Sequence, residues 1–151
     1  LLLEQHFVVE CVATAALHVE RFLPPQPVRV VVDHAGEDQS DDEDYKQARL
    51  RKGDVSKLLD KPVMRKKLMP LMLKKAEEIA AARMAEMVEA AKVSIHARLD
   101  SEIERLEDLG KLNDHVRTEE IDGLKQQKEQ LIAAVGEARV RLDALRLVLK
   151  L

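Results

Sequence analysis

Lysine and arginine crowd one stretch of this chain: residues 46–75 hold eleven of them against only Asp54 and Asp60, a local excess of nine positive charges. Cations at this density suit a polyanion, because each Lys or Arg that neutralises a phosphate adds salt-dependent, sequence-independent affinity. The candidate contacts are Lys61, Arg65, Lys66, Lys67, Lys74 and Lys75. No Phe, Tyr or Trp follows Tyr45, so no base can stack on an aromatic platform beside them. The competing reading is a solvated face, or one neutralised by the acidic run just upstream (Glu37, Asp38, Asp41, Asp42, Glu43, Asp44). Clustered like charges of that kind usually form solvated loop.

Other chemistries find less support. Nucleotide hydrolysis needs a glycine-rich loop of the form GxxxxGK[ST], and the five glycines stand apart from one another. Arg51-Lys52-Gly53-Asp54 is a basic turn only. The five histidines show neither HExxH nor finger spacing with a cysteine. The acidic run lacks the central Gly and closing Glu of a calcium loop. Cys11 sits among Val9 and Val12, where a thiol behaves as a small apolar group. Asp33-His34 has no hydroxyl nucleophile in a strained turn nearby and reads as a strand end. The expectation is therefore a chain with no catalytic residue, no metal and no cofactor of its own.

These residues need elements to hold them, and composition bounds what those are. The 151 residues are 46 % hydrophobic, with 22 Leu and 17 Ala but only three aromatics, and the net charge is −3. That is enough apolar surface for a core. A single cysteine excludes a disulfide-stapled domain. No apolar run approaches the ~18–20 residues that cross a bilayer. Leu1 is not a start methionine and no basic segment precedes the opening apolar residues, so the expectation is a fragment rather than a signal peptide, forming one domain over 1–151.

Residues 1–34 read as strands. His6-Phe7-Val8-Val9-Glu10-Cys11-Val12-Ala13 and Val28-Arg29-Val30-Val31-Val32-Asp33 are rich in β-formers. Pro24, Pro25 and Pro27 between them remove backbone donors and fix φ, giving an extended connector. Residues 15–21 fit a helical turn or a third short strand. Residues 35–60 read as a charged linker with short helices, and 61–137 as a long α-hairpin. Met84, Val88, Ala91, Ile95, Leu99, Ile103, Leu106 and Leu109 recur at three or four and share one face, continued upstream by Leu68, Met72, Ala76 and Ile79. Pro70 marks a kink or a first turn. Gly110 is the expected end of the first helix and Thr118 the expected N-cap of the second, with Glu119 and Glu120 in its first turn. Ile121, Leu124, Lys128, Leu131 and Val135 then repeat at 3-4-3-4, and a short link makes the pair antiparallel. Residues 139–151 fit a closing strand beside 28–33, although Val135, Ala138, Leu142, Leu145 and Leu149 also fit a continued helix. The fold class is α+β: a small, mostly antiparallel sheet from the N- and C-terminal segments, with the α-hairpin inserted.

Three stretches carry a resemblance. Glu20-Arg21-Phe22-Leu23-Pro24-Pro25-Gln26-Pro27-Val28-Arg29-Val30-Val31-Val32-Asp33 resembles a signature near the C-terminal end of the RapA (HepA) family of bacterial RNA polymerase-recycling ATPases. Ala97-Arg98-Leu99-Asp100-Ser101-Glu102-Ile103-Glu104-Arg105-Leu106-Glu107 is similar to that family's long-helix segment, and Arg141-Leu142-Asp143-Ala144-Leu145-Arg146-Leu147 to its closing segment. The family's Asn-Pro between the helices is Asn113-Asp114 here, its Gly-Trp is Arg139-Val140, and residues 45–57 match poorly.

The resemblance implies a Swi/Snf-like, helicase-like parent that binds core RNA polymerase, with ATP and Mg used by a motor upstream of this region. It implies a cytoplasmic, nucleoid-associated bacterial protein. No motor motif is present to carry over, so the chain reads as a non-catalytic C-terminal domain acting as brace or contact module. Its expected partners are the motor domains and core polymerase. Two rivals are a helical protein–protein adaptor and a nucleic-acid-binding module working through 61–75, with no membrane contact in any of these readings.

Overall fold

A computed structural model describes residues 1–150. Three strands form one antiparallel sheet: β1 (Leu2–Glu10), β2 (Gln26–Asp33) and β3 (Arg139–Val148), in the order β2-β1-β3. Between β2 and β3 come two short helices, α1 (Glu43–Gln47) and α2 (Ser56–Leu59), and two long ones, α3 (Met69–Leu112) and α4 (Thr118–Gly136). The α+β class and the inserted helical pair are thus as the periodicity implies.

One strand neighbour differs from expectation. The closing strand is present, but it lies beside β1 and not beside β2. The outer edge of β2 is already taken by the chain that follows it: Gln39 N–H donates to the Val31 carbonyl (2.7 Å) and Asp33 N–H to the Glu37 carbonyl (3.0 Å). A returning strand therefore finds its unpaired backbone on β1, which becomes the central strand.

The contacts divide the chain into two units. The first comprises Leu1–Val8, Pro27–Arg83 and the residues from Val140 on. Its interior holds Leu3 and Phe7 of β1, Val28, Val30, Val31 and Val32 of β2, and Met64, Met72, Ala76 and Ala80 from the helical stretch. The turn after β2 needs Gly36, whose φ of +87° is strained for any residue with a Cβ. Early α3 is tied to β2 by Arg83, whose Nη1 donates to the Arg29 carbonyl (2.6 Å) while Nη2 pairs with Asp38 (2.9 Å).

The second unit comprises Val9–Gln26 and Met84–Arg139. Residues 15–21 form two 3₁₀ turns, Ala15–Leu17 and Val19–Arg21, joined by His18 in the left-handed region (φ 50°). They set Val19 and Leu23 into a core with Val88, Ala91, Ile95 and Leu99 of α3 and Leu131 and Val135 of α4. Lys128 interrupts the apolar repeat of α4, and its Nζ reaches Asp100 of α3 at 2.7 Å; with Lys125 and Glu107 at 3.1 Å, two ion pairs flank the aliphatic contacts of the seam. Burial fades toward the connection between the helices: Leu109 is 40 % exposed and Leu112 87 %.

Both expected helix boundaries shift slightly. Helix α3 continues past Gly110 to Leu112, and Asn113 supplies the turn, its Oδ1 accepting from His115 N–H (3.0 Å). Arg117, not Thr118, occupies the N-cap of α4 and makes no side-chain cap bond. Thr118 is already helical, and Glu119 and Glu120 offset the exposed N–H groups through their charge.

Candidate functional site

The basic segment begins where α2 ends. Lys61 N–H closes that turn onto the Leu58 carbonyl (3.2 Å). Residues 64–68 then form a π-turn, Met64–Leu68, with Met69 N–H bonded to the Met64 carbonyl. Pro70 accounts for it. A proline one turn into a helix has no N–H to offer the carbonyl four residues back and its ring collides with that carbonyl, so the turn before it widens. Pro70 accordingly sits at the second position of α3, after the widened turn.

The six candidate cations separate into two groups. Lys74 and Lys75 share one carboxylate, Glu78, at 3.9 and 2.8 Å. That hydrogen bond holds the Lys75 ammonium above its ordinary pKa. Lys61, Arg65, Lys66 and Lys67 are exposed, and among the described residues none has a carboxylate within 4.0 Å. No member of the acidic run lies within 4.0 Å of these four, and Asp38, Asp41, Asp42 and Glu43 are engaged elsewhere. Asp38 takes Arg83 and Ser40, Asp41 and Glu43 take Lys46, and Asp42 caps α1 by accepting from Asp44 and Tyr45 N–H. The expectation of a purely solvated acidic loop is corrected for Asp38 and Asp42, which shape the chain.

An open groove of about 420 Å³ lies beside Lys61. Leu58, Val63, Met64, Leu68 and Leu149 supply its apolar lining, and Leu1, His34 and Lys61 complete it. Val63 is 57 % exposed and Leu149 43 %. The one spacing signal available in advance was Leu58, Met64 and Leu68 falling among the cations; the contributions of Leu1 and Leu149 come from the two ends of the chain and have no local signature.

A polar cluster also formed that sequence reasoning missed. Glu4 of β1 is nearly buried, with a side chain only 6 % exposed, and its carboxylate accepts from Arg29 Nε (2.6 Å) and Tyr45 Oη (2.6 Å). His6 Nε2 lies 3.1 Å away and Arg146 Nη1 3.5 Å. Arg29 also stacks over the Tyr45 ring at 5.2 Å and donates to the Ser40 carbonyl. Burial alone raises the Glu4 carboxyl, but the Tyr45 and Arg29 hydrogen bonds and the two arginine charges outweigh it and hold the group below its usual value. Burial, then the Glu4 bond and charge, pushes the Tyr45 phenol up to about 12. A carboxylate already saturated with donors is a poor general base, and this one joins β1, β2, β3 and α1.

The remaining chemistry-bearing residues are engaged structurally. Cys11 Sγ donates to the Ala134 carbonyl at 2.8 Å, and burial raises its thiol pKa. Asp33 accepts from Ala35 and Glu37 N–H, closing the turn after β2. Among the described residues no group of three or more His, Cys, Asp or Glu is placed to hold a metal ion. No helix among them is long and apolar enough to cross a membrane.

Comparison with known proteins places these features in context. Residues 1–150 match the sequence profile of a family described as "RNA polymerase recycling family C-terminal". The RNA polymerase-associated protein RapA of Actinobacillus pleuropneumoniae (serotype 3, strain JL03) is 34 % identical over 154 residues, a match covering 98 % of this chain and 16 % of that protein. Those of Erwinia tasmaniensis and of Yersinia pestis (strain Pestoides F) are each 31 % identical over 150 residues, with the same 98 % and 16 % coverage. The chain thus spans about one-sixth of the length of these relatives. With a profile match from end to end, it belongs to the RNA polymerase recycling C-terminal family, the C-terminal domain of RapA-type bacterial proteins.

Proposed function

We propose that this chain is a non-catalytic contact module that helps a longer, RapA-like protein engage core RNA polymerase in the bacterial cytoplasm. The observation that carries the reading is the end-to-end family match confined to 16 % of relatives named as polymerase-associated. ATP and Mg chemistry then belongs to other parts of such proteins, and this chain requires neither. Its own residues support a role in holding shape and making contacts: the Glu4 cluster locks three strands and α1 together, while Lys61, which lines an open groove, and Arg65, Lys66 and Lys67 of the adjoining turn stand unpaired. Bracing the motor of a RapA-like protein is compatible with the same surface.

Size-exclusion chromatography of the chain with core RNA polymerase tests the proposal. Co-elution without nucleotide turnover is the expected result. Elution of the chain alone at concentrations well above micromolar, or ATP hydrolysis by the chain itself, contradicts it.

A second reading draws on the unpaired cations. In it Lys61, Arg65, Lys66, Lys67, Lys74 and Lys75 grip a nucleic-acid backbone, and log affinity falls with log salt at a slope of about −0.9 for each phosphate neutralised on duplex DNA. The Glu78 pairing of Lys74 and Lys75 reduces the charge available for this. A flat salt dependence excludes it.

A further inference from the structure

We infer that the groove beside the π-turn receives an acidic, leucine-bearing peptide segment of a protein partner, an inference that rests on the contact-module reading. The surface has two parts that ask for one occupant. Its floor is aliphatic, built from Leu58, Val63, Met64 and Leu68 with Leu149, and Val63 and Leu149 leave apolar area in water. Covering such area removes it from solvent at roughly 25 cal/mol per Å². Its margin is cationic. Lys61 lines it, and Arg65, Lys66 and Lys67 occupy the turn that also supplies Met64 and Leu68. Asp60 is the only acid between Val55 and Glu77. Charge complementarity therefore selects a negative partner, and the aliphatic floor selects one with apolar side chains to insert.

Nucleic acid meets only half of that requirement. A phosphate backbone satisfies the cations, but its bases bind proteins by stacking on flat side chains, and of these the turn offers the Arg65 guanidinium alone, with no aromatic residue after Tyr45. The aliphatic floor would stay uncovered. A small molecule suits the volume but not the shape, because sites for such ligands enclose most of their surface and this groove lies open. A helical or extended segment laid along the surface, with leucines into the floor and carboxylates toward Lys61, Lys66 and Lys67, satisfies both parts. π-turns of this kind recur at functional sites, and this one carries three consecutive exposed cations between two residues of the floor, Met64 and Leu68.

Fluorescence anisotropy with the full 151-residue chain tests this, using a labelled helical peptide with one leucine face and one glutamate face. Polyglutamate, oligouridylate and a lysine-for-glutamate version of the peptide serve as comparisons. The leucine–glutamate peptide is expected to bind about tenfold or more tightly than any of the three, a difference of ~1.4 kcal/mol per decade. Val63→Glu and the pair Lys66→Glu with Lys67→Glu are each expected to weaken it about tenfold. The pair should lose most of its effect at high salt, whereas the effect of Val63→Glu should persist. Leu149→Glu replaces Val63→Glu if that variant melts early. Equal binding of oligouridylate or polyglutamate, no binding of the peptide, or indifference to the substitutions overturns the inference. A chain that binds the peptide yet fails to co-elute with polymerase keeps its groove and loses polymerase as the groove's partner. Polymerase binding without peptide binding removes the groove alone.

Discussion

Glu4 shows how a charged residue is accommodated inside a sheet. Two hydrogen bonds of 2.6 Å and the charges of Arg29 and Arg146 compensate the water it loses. Removing one donor leaves the buried carboxylate less satisfied, so Tyr45→Phe should destabilise the chain by about 1–3 kcal/mol. Urea denaturation should show the midpoint falling with an unchanged slope. The same group predicts a pH dependence. Its carboxyl lies below the ordinary value in the folded chain, so its contribution is complete above about pH 4.5 and is lost as pH falls through the lower folded value. Tyr45 works at the other limb: raised to about 12, it contributes fully below pH 10 and loses that contribution as pH rises through 12. Thermal melting across pH should accordingly show a shallower acid limb for Glu4→Gln than for the parent. Identical acid limbs would refute the assignment. None of this was legible residue by residue, because the cluster draws one group from each of four segments, and no local pattern records which strands will be neighbours.

At the scale of elements, the apolar repeat of α3 and α4 was readable and its energetic gradient was not. Val88, Ala91, Ile95 and Leu99 fall at regular steps, yet burial is set by what lies opposite: the 3₁₀ turns and the end of α4 cover Ile95 fully, while Leu112 meets mostly water. Ile95→Ala should therefore cost about 2–5 kcal/mol, and Leu112→Ala less than about 0.5 kcal/mol. Comparable losses at both positions, measured by chemical denaturation, would mean that the helical pair is packed differently. The misplaced neighbour of β3 has a similar origin. Leu145, Leu147 and Leu149 alternating with Arg146 and Val148 mark a strand, but only the 37–39 segment, by occupying the edge of β2, decides that β3 joins β1. Pro70 was readable as a disruption, and the form of that disruption, a widened turn carrying Arg65, Lys66 and Lys67, emerged only with the backbone.

At the scale of the whole molecule, a near-neutral chain hides a polarised surface. The excess of cations at 46–75 was visible from composition, and Glu78 stands three and four residues beyond Lys75 and Lys74, a spacing that foreshadowed their pairing. Lys61, Arg65, Lys66 and Lys67 stay unpaired while Asp38, Asp41, Asp42 and Glu43 of the acidic run are spent on Arg83, Lys46 and the cap of α1. The groove that Lys61 lines joins a mid-chain turn with residues near both ends, which no window of sequence spans.

Amide hydrogen exchange of the chain with and without core RNA polymerase reads the proposed contact of this surface directly. Slowed exchange over the segment from α2 through the π-turn, with the core around Ile95 unchanged, is the predicted result. Exchange unaltered everywhere at saturating polymerase would contradict it.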